Sequence, residues 1–269
     1  MESSMDLSDV VKQSIIDTAT CMADAARPIA LSYFRTESQA IENKLINGFD
    51  PVTIADKEIE LIFRKVLSEQ RPDDGVIGEE FPKVPSRSGL TWILDPIDGT
   101  RAFISGAPTW GMLIGVHDGS KAVFGVIDQP YTGERFIGGF GQSELQSQGK
   151  KTNINVRACS KLKDATLFST MPQVGDISET ELFNRVAREC KLTRFGLDCY
   201  AYALLALGQI DLVIEAGLNI YDIQGPLAVV EAAGGIVTNW QGETVNEGGQ
   251  VIAAGDPEVH AAAIKLLNN

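Results

Sequence analysis

The residues best suited to chemistry are two aspartates, Asp95 and Asp98, which end an apolar run that begins at Trp92. A proline lies between the two acids and Gly99 follows them, so the chain is expected to turn there. This pattern is typical of a β-strand that brings acids to its carboxyl end, where α/β sheets bind ligands. Carboxylates so close together repel one another unless a cation lies between them, and such hard oxygen ligands suit Mg²⁺.

Gly99 and Thr100 add the parts of an anion site. Backbone N–H groups in such a turn can bind phosphate oxygens, and the Thr100 hydroxyl can position a water molecule. A cation site beside an anion site indicates phosphate chemistry. The alternative, a strand that simply ends in an Asx-rich turn, is common for one aspartate but explains this ordered set poorly.

Further acids have comparable settings in the sequence. Glu79 ends the short apolar run that begins at Val76, and Asp222 comes just before an apolar helical segment. Asp56 follows Thr53 at the start of another helical segment. An acid in the first turn of a helix is also favoured by the helix dipole, so a structural role competes with a catalytic one for Asp56.

Composition excludes several other classes of protein. The two histidines, His117 and His260, lie in settings typical of structural residues, which argues against a Ser-His-Asp hydrolase. The four cysteines show no CxxC spacing and are expected to be reduced thiols of a cytoplasmic protein. A net charge of −13 argues against nucleic acid as a partner. No apolar run is long enough to span a bilayer, and the acidic start Met1–Asp6 is unlike a signal peptide.

The elements that must position the acids are predicted to form two halves, residues 1–150 and 151–269, within a chain of 269 residues. The strands of the first half should form a largely antiparallel sheet. They are predicted at 75–78, 91–94, 109–117, 121–128 and 134–140. The polar stretch 142–153 is the predicted join between the halves.

Helices should flank this sheet and alternate with strands in the second half. One helix follows the cap Ser8 and reaches about Phe34, with Pro28 expected to kink or end it. Another runs from about Ala55 to Ser68. From about residue 155 onward strands and helices alternate, which favours an α/β layered domain.

Four motifs together resemble the inositol monophosphatase family of Mg²⁺-dependent, lithium-sensitive phosphatases. They are Asp50-Pro-Val-Thr-x-x-Asp56, Gly78-Glu79-Glu80, Asp95-Pro-Ile-Asp98-Gly-Thr100, and Tyr221-Asp222 with the later Ala233-Gly234-Gly235. The resemblance implies an α+β, αβαβα layered sandwich with its active site between the two halves. It also implies a small phosphorylated substrate and a homodimer.

The resemblance further implies which residues bind metal. Asp95 would bridge two Mg²⁺ ions. Glu79 and the Ile97 carbonyl would complete the coordination of one ion. Asp98 and Asp222 would complete that of the other.

The same resemblance implies how water and phosphate are held. Glu79 would also contact a third, weaker Mg²⁺ that carries the nucleophilic water. Thr100, hydrogen-bonded to Asp56, would orient or deprotonate that water. The backbone N–H groups of Gly99 and Thr100 would hold the phosphate.

The segment after the Asp-Gly-Thr motif points to one subgroup of the family. Residues 101–111 resemble the version found in histidinol-phosphate phosphatases of histidine biosynthesis more than the inositol phosphatase pattern. Residues 129–135 and 198–203 resemble that subgroup too, with Leu197 where its members often have glycine. Histidinol phosphate carries an amine and an imidazole, so Asp198 and Glu215 are predicted to bind its cationic end.

Other interpretations remain open at this stage. Asp198 could instead cap a helix, and Glu215 could be an ordinary acid at a strand end. The alternative functions are an inositol-1-phosphate or broad sugar-phosphate monophosphatase, a nucleotide 3′-phosphatase, and an inactive, metal-stabilised regulatory protein. The presence of every expected acid together with Thr100 argues against the inactive protein.

Overall fold

The computed structural model describes residues 6–36, 41–43 and 51–268, with 41–43, 51 and 52 described by their backbone alone. Asp50 of the first motif and residues 1–5 of the acidic start lie outside this part of the chain. None of the helices in this part of the chain combines the length and the apolar character that a transmembrane span requires. Strands β1 (Ile41–Asn43) and β2 (Pro51–Thr53) pair with each other in antiparallel orientation.

Two helices open the described structure. Helix α1 spans Asp9–Tyr33 and begins at the predicted cap, Ser8. Pro28 does not end this helix, because buried alanines on both sides of it pack into one core. Helix α2 spans Ile54–Gln70, two residues longer at its C-terminal end than predicted, and begins at the cap Thr53.

Among residues 51–268, seven strands form one sheet in the order of the chain, and helix α3 (Thr100–Ile104) follows the second of them. The strands are β3 (Gly75–Gly78), β4 (Thr91–Asp98), β5 (Gly111–His117), β6 (Ala122–Gln129), β7 (Glu134–Gly139), β8 (Gln142–Ser147) and β9 (Lys150–Asn153). β3 and β4 pair in parallel, and every later neighbouring pair in this order is antiparallel. The stretch 142–153, predicted as a polar join, therefore forms a hairpin of this sheet.

A second sheet follows in the described residues. Its strands are β10 (Thr166–Ser169), β11 (Leu192–Phe195), β12 (Leu212–Leu218), β13 (Ile236–Thr238) and β14 (Gly249–Ala254). They lie in the order β11-β10-β12-β14-β13. Four helices alternate with them: α4 (Ile177–Glu189), α5 (Cys199–Ala206), α6 (Ile220–Ala232) and α7 (Pro257–Leu267). This alternation of strands and helices confirms the layered α/β pattern predicted after residue 155.

The described elements stack in five layers. α1 and α2 cover one face of the first sheet, where Phe63 and Trp92 share a core. α5 and α6 lie between the sheets, against Leu113 on one side and Val213 on the other. α4 and α7 cover the outer face of the second sheet, with Phe183 in that core. The predicted αβαβα sandwich is confirmed.

Three glycines on neighbouring strands let α6 lie unusually close to the first sheet. Gly115, Gly125 and Gly138 come from β5, β6 and β7 and face the helix. A Cβ atom added to Gly125 would lie 2.1 Å from the Gly225 carbonyl oxygen, so any side chain there would displace the helix backbone. The glycines therefore fix the height of α6 above strands of the first sheet.

Candidate active site

The parallel pair β3–β4 brings two acids to the same edge of the first sheet. Gly78 is the register partner of Leu94, and the next residues along the two strands are Glu79 and Asp95. Both acids line one cavity. The two acids belong to separate motifs, and this single strand pairing brings them together.

Asp95, Asp98 and Asp222 form an acid cluster, in which one carboxylate oxygen from each lies within 4.8 Å of the others. Asp98 accepts a hydrogen bond from the backbone N–H of Cys199 at 2.6 Å. Asp222, in the first turn of α6, accepts one from the backbone N–H of Asn219 at 2.6 Å. The first bond joins the end of β4 to the start of α5, and the second is a local bond that holds Asp222 at the start of α6.

Burial and mutual repulsion both raise the pKa values of these acids. Burial, and then the nearby charge of Glu79, raise the pKa of Asp95 well above its ordinary value. Burial, and then the charge of Asp198, do the same to the pKa of Asp98. Burial raises the pKa of Asp222 to about 7. A bound cation would offset this repulsion, and carboxylate oxygens of this kind fit Mg²⁺.

The predicted hydrogen bond between Thr100 and Asp56 is not formed. The Thr100 hydroxyl donates to the Ile97 carbonyl at 3.1 Å. The Asp56 carboxylate accepts from the Thr53 backbone N–H at 2.8 Å and from the Thr53 hydroxyl at 2.6 Å, which closes a capping box at the start of α2. The spacing of three residues between Thr53 and Asp56 favours this local pair over a bond to Thr100. Burial raises the pKa of Asp56 to about 7.

The cavity has a volume of about 330 Å³ and contains nearly all of the predicted site residues. Gly99 lies at its edge with φ of +81°, a backbone conformation that favours glycine. The residues that line it include Glu79, Asp95, Ile97, Asp98, Gly99, Thr100, Asp198, Glu215 and Asp222. The acid cluster and the predicted substrate acids therefore share one space, while Asp56 is 1% exposed and is not among the lining residues.

Glu215 is fixed in the cavity wall by Thr170 and Tyr202, two residues that were not among the predicted site residues. Its carboxylate accepts from the Thr170 hydroxyl at 2.5 Å, from the Thr170 backbone N–H at 3.0 Å and from the Tyr202 hydroxyl at 2.9 Å. Thr170 directly follows β10, and a position at the carboxyl end of a strand is the signal that could have identified it.

Asp198 lies at the N-cap position of α5, but its side chain makes no capping hydrogen bond. The carboxyl group instead lies against the turn at Gly99, where an added Cβ atom would come within 2.9 Å of the Asp198 Cγ. Burial, and then the charge of Glu215, raise the pKa of Asp198 to about 7, and Arg101 acts to lower it. The carboxyl group is therefore placed toward the cavity rather than toward its own helix.

Comparison with known proteins supports the resemblance. The family described as "Inositol monophosphatase family" matches residues 11–269. The "Bifunctional phosphatase IMPL2, chloroplastic" of Arabidopsis thaliana is 35% identical over 99% of this chain and 78% of its own length. A "Histidinol-phosphatase" of Chlorobaculum parvum is 30% identical over 87% of this chain and 89% of its own length.

Solved structures agree with the fold described above. A structure of an inositol monophosphatase from Zymomonas mobilis superposes with a TM-score of 0.83 at 35% sequence identity. The match covers 98% of this chain and 100% of that one. The chain therefore belongs to the inositol monophosphatase family and is a phosphatase of that family.

Proposed function

We propose that the chain is a Mg²⁺-dependent phosphomonoesterase whose substrate is histidinol phosphate. One observation carries this proposal: the cavity that holds the acid cluster also contains a second pair of acids, Asp198 and Glu215. The first group of acids suits the metal ions that bind a phosphate. The second suits the positively charged end of the same substrate.

The metal ligands would be the acid cluster together with Glu79 and the Ile97 carbonyl, which hold two to three Mg²⁺ ions. When bound, the ions supply positive charge to the phosphate oxygens and lower the pKa of a water molecule that attacks phosphorus. The raised pKa values of Asp95 and Asp98 support this assignment, because a cation is what would keep such buried acids ionised.

The chain's own groups would orient the reactants. The backbone N–H groups of Gly99 and Thr100 bind the phosphate at the start of α3, and the Thr100 hydroxyl orients the attacking water. That hydroxyl now bonds the Ile97 carbonyl at 3.1 Å and has to rotate for this task. Asp56 would accept the proton of the Thr100 hydroxyl. For this, the Asp56 carboxylate has to exchange one of its contacts with Thr53.

The cationic end of the substrate would lie against Asp198, with Glu215 behind it. Glu215 is 5% exposed, and both of its oxygens accept hydrogen bonds from Thr170 or Tyr202, so it acts mainly through its charge. The Asp198 carboxyl group makes no capping bond and is the better candidate for direct contact. Curated relatives named histidinol-phosphatase, which align over most of the chain, support this choice.

The alternative is an inositol-1-phosphate or broad sugar-phosphate monophosphatase. It is favoured by the Zymomonas mobilis neighbour and by relatives that carry the name inositol-1-monophosphatase. The cytoplasmic location and the homodimer remain predictions from the sequence.

Phosphate release from a substrate panel tests the proposal. The purified chain is assayed with histidinol phosphate, inositol 1-phosphate, fructose 1,6-bisphosphate and adenosine 3′,5′-bisphosphate, with Mg²⁺ and with EDTA. We expect the highest kcat/KM for histidinol phosphate and no turnover in EDTA. A preference for inositol 1-phosphate would establish the alternative, and turnover that persists in EDTA would contradict the metal assignment.

A further inference from the structure

A buried acid outside the cavity lies directly beneath the turn that carries Glu79. Glu60 is on α2 and has no exposed surface. Its Oε2 atom accepts a hydrogen bond from the backbone N–H of Glu80 at 2.7 Å. Its Oε1 atom accepts one from the Arg64 Nε–H at 2.8 Å. A buried carboxylate is costly unless it is paired in this way, so its position is well defined.

Arg64 extends the same support to the next residue of the turn. Its Nη2 group donates to the Phe81 carbonyl at 3.0 Å, and its guanidinium lies over the Phe81 ring, 5.8 Å from the centroid. The Glu60–Arg64 pair therefore contacts both the N–H of Glu80 and the carbonyl of Phe81. Helix α2 holds the backbone immediately after Glu79 from one side.

Gly78 shows how closely the Glu60 carboxylate approaches this turn. A Cβ atom added to Gly78 would lie 2.1 Å from the Glu60 Oε1 atom and 2.4 Å from its Cδ atom. The φ angle of Gly78 is not in the left-handed region, so space rather than backbone conformation requires glycine here. The carboxylate thus supports the residues on both sides of Glu79, since Gly78 precedes it and Glu80 follows it.

We infer that Glu60 is a positioning residue for the metal site: with Arg64, it holds the 78–81 turn so that Glu79 faces Asp95. This inference rests on the proposed Mg²⁺ site. Glu60 is not among the residues that line the cavity, and it acts through the backbone of the turn. Partners of this kind typically change metal affinity by about 10–100-fold when they are replaced.

The test is calorimetric titration of Mg²⁺ into the purified chain, together with the Mg²⁺ dependence of phosphate release. Glu60→Gln keeps the size of the side chain but weakens its pairing with Arg64. We expect its dissociation constant for Mg²⁺ to rise about 10–100-fold, while kcat at saturating Mg²⁺ stays near that of the wild type. Glu58→Gln, an exposed acid on the same helix, is the matched control and should leave the constant unchanged.

The outcomes separate the inference from the function on which it rests. Absence of Mg²⁺ binding to the wild-type chain would overturn the proposed metal site and this inference with it. Normal binding to the wild type and unchanged binding to Glu60→Gln would overturn the positioning role alone, as would a lower melting temperature without any change in affinity. If Glu60→Gln does not fold, the Mg²⁺ dissociation constant of Arg64→Gln is measured instead, and an unchanged constant would overturn the positioning role. The Arg64 side chain is 17% exposed, so its loss is easier to tolerate.

Discussion

At the scale of single residues, Asp95 is the centre of the proposed metal site. It is 2% exposed and belongs to the acid cluster. The pairing of β3 with β4 places it beside Glu79. Replacing it with asparagine should abolish turnover and also the rise in melting temperature that Mg²⁺ produces, because a ligand that binds the native state stabilises it. Circular dichroism would show that the fold survives. Activity near that of the wild type in Asp95→Asn would remove the two-metal hypothesis.

Thr100 can be tested separately from the metal ligands, because its hydroxyl would act on water. Thr100→Ala should lower kcat about 100-fold or more and leave KM nearly unchanged, as expected for an interaction made in the transition state. Thr100→Ser retains the hydroxyl and should keep most of the activity. Steady-state kinetics of both variants measure these changes in kcat and KM. A higher KM at constant kcat would make Thr100 a substrate-binding residue instead.

The sequence was a good guide to individual acids and a poor guide to their hydrogen bonds. Asp95 and Asp98 could be predicted because an apolar strand has no structural need for acids at its end. The partner of Asp56 could not, since the capping box with Thr53 and a bond to Thr100 fit the same residue pattern. Glu60 gave no signal, because a glutamate on a helix usually faces water and its burial depends on the turn at Gly78.

At the scale of elements, the close contact between α6 and the first sheet should govern the position of Asp222. Gly125→Ala places a methyl group 2.1 Å from a backbone atom of α6, which neither partner can avoid by rotating a side chain. We expect a loss of about 1–3 kcal/mol in unfolding free energy, together with weaker Mg²⁺ binding. Urea unfolding and calorimetry measure the two effects. Unchanged Mg²⁺ affinity would mean that the glycine contacts do not position the ligand.

The contact between α7 and β13 should make stability depend on pH. The Thr238 hydroxyl donates to the Asn239 carbonyl at 2.8 Å and so accepts from the His260 Nε2–H at 2.9 Å. Burial lowers the pKa of His260 below its ordinary value of 6.5, so the unfolded chain takes up a proton first as pH falls. Its stabilising contribution is therefore present above pH 6.5 and lost below it.

Urea unfolding at pH 7.5 and 5.5 measures this dependence. The loss of unfolding free energy between the two pH values should be smaller in His260→Gln than in the wild type. An equal loss in the two proteins would show that His260 does not contribute.

Elements could be predicted where their apolar pattern was strong. The strand at 75–78 has the predicted bounds, and helix α1 begins at the predicted cap Ser8. The hairpin 142–153 was missed because β8 and β9 are polar and have no buried residue. The backbone pairing of β8 with β7, and of β9 with β8, specifies them more than side-chain burial does. The division of the chain into two halves remains a prediction.

At the scale of the whole molecule, Mg²⁺ should offset the repulsion among buried acids in a chain with a net charge of −13. At about 100 times its dissociation constant, a bound ion adds about 2.7 kcal/mol to the stability of the native state. We expect a melting temperature that rises with Mg²⁺ concentration and falls on addition of EDTA. Sodium chloride at matched ionic strength is the control, and an equal rise in that salt would indicate general screening rather than a site.

The measurement that tests the central claim most directly is the ratio of kcat/KM for histidinol phosphate to that for p-nitrophenyl phosphate, in the wild type and in Asp198→Asn. Loss of a carboxylate that pairs with a partly desolvated cation costs about 2–5 kcal/mol, or roughly 30-fold or more in kcat/KM. We predict that Asp198→Asn loses this factor for histidinol phosphate and keeps its activity on p-nitrophenyl phosphate, whose alcohol part carries no positive charge, with Glu189→Gln, an exposed acid on α4, as the unaffected control. Equal losses on both substrates would contradict the account, because they would assign Asp198 to the fold or to the metal site.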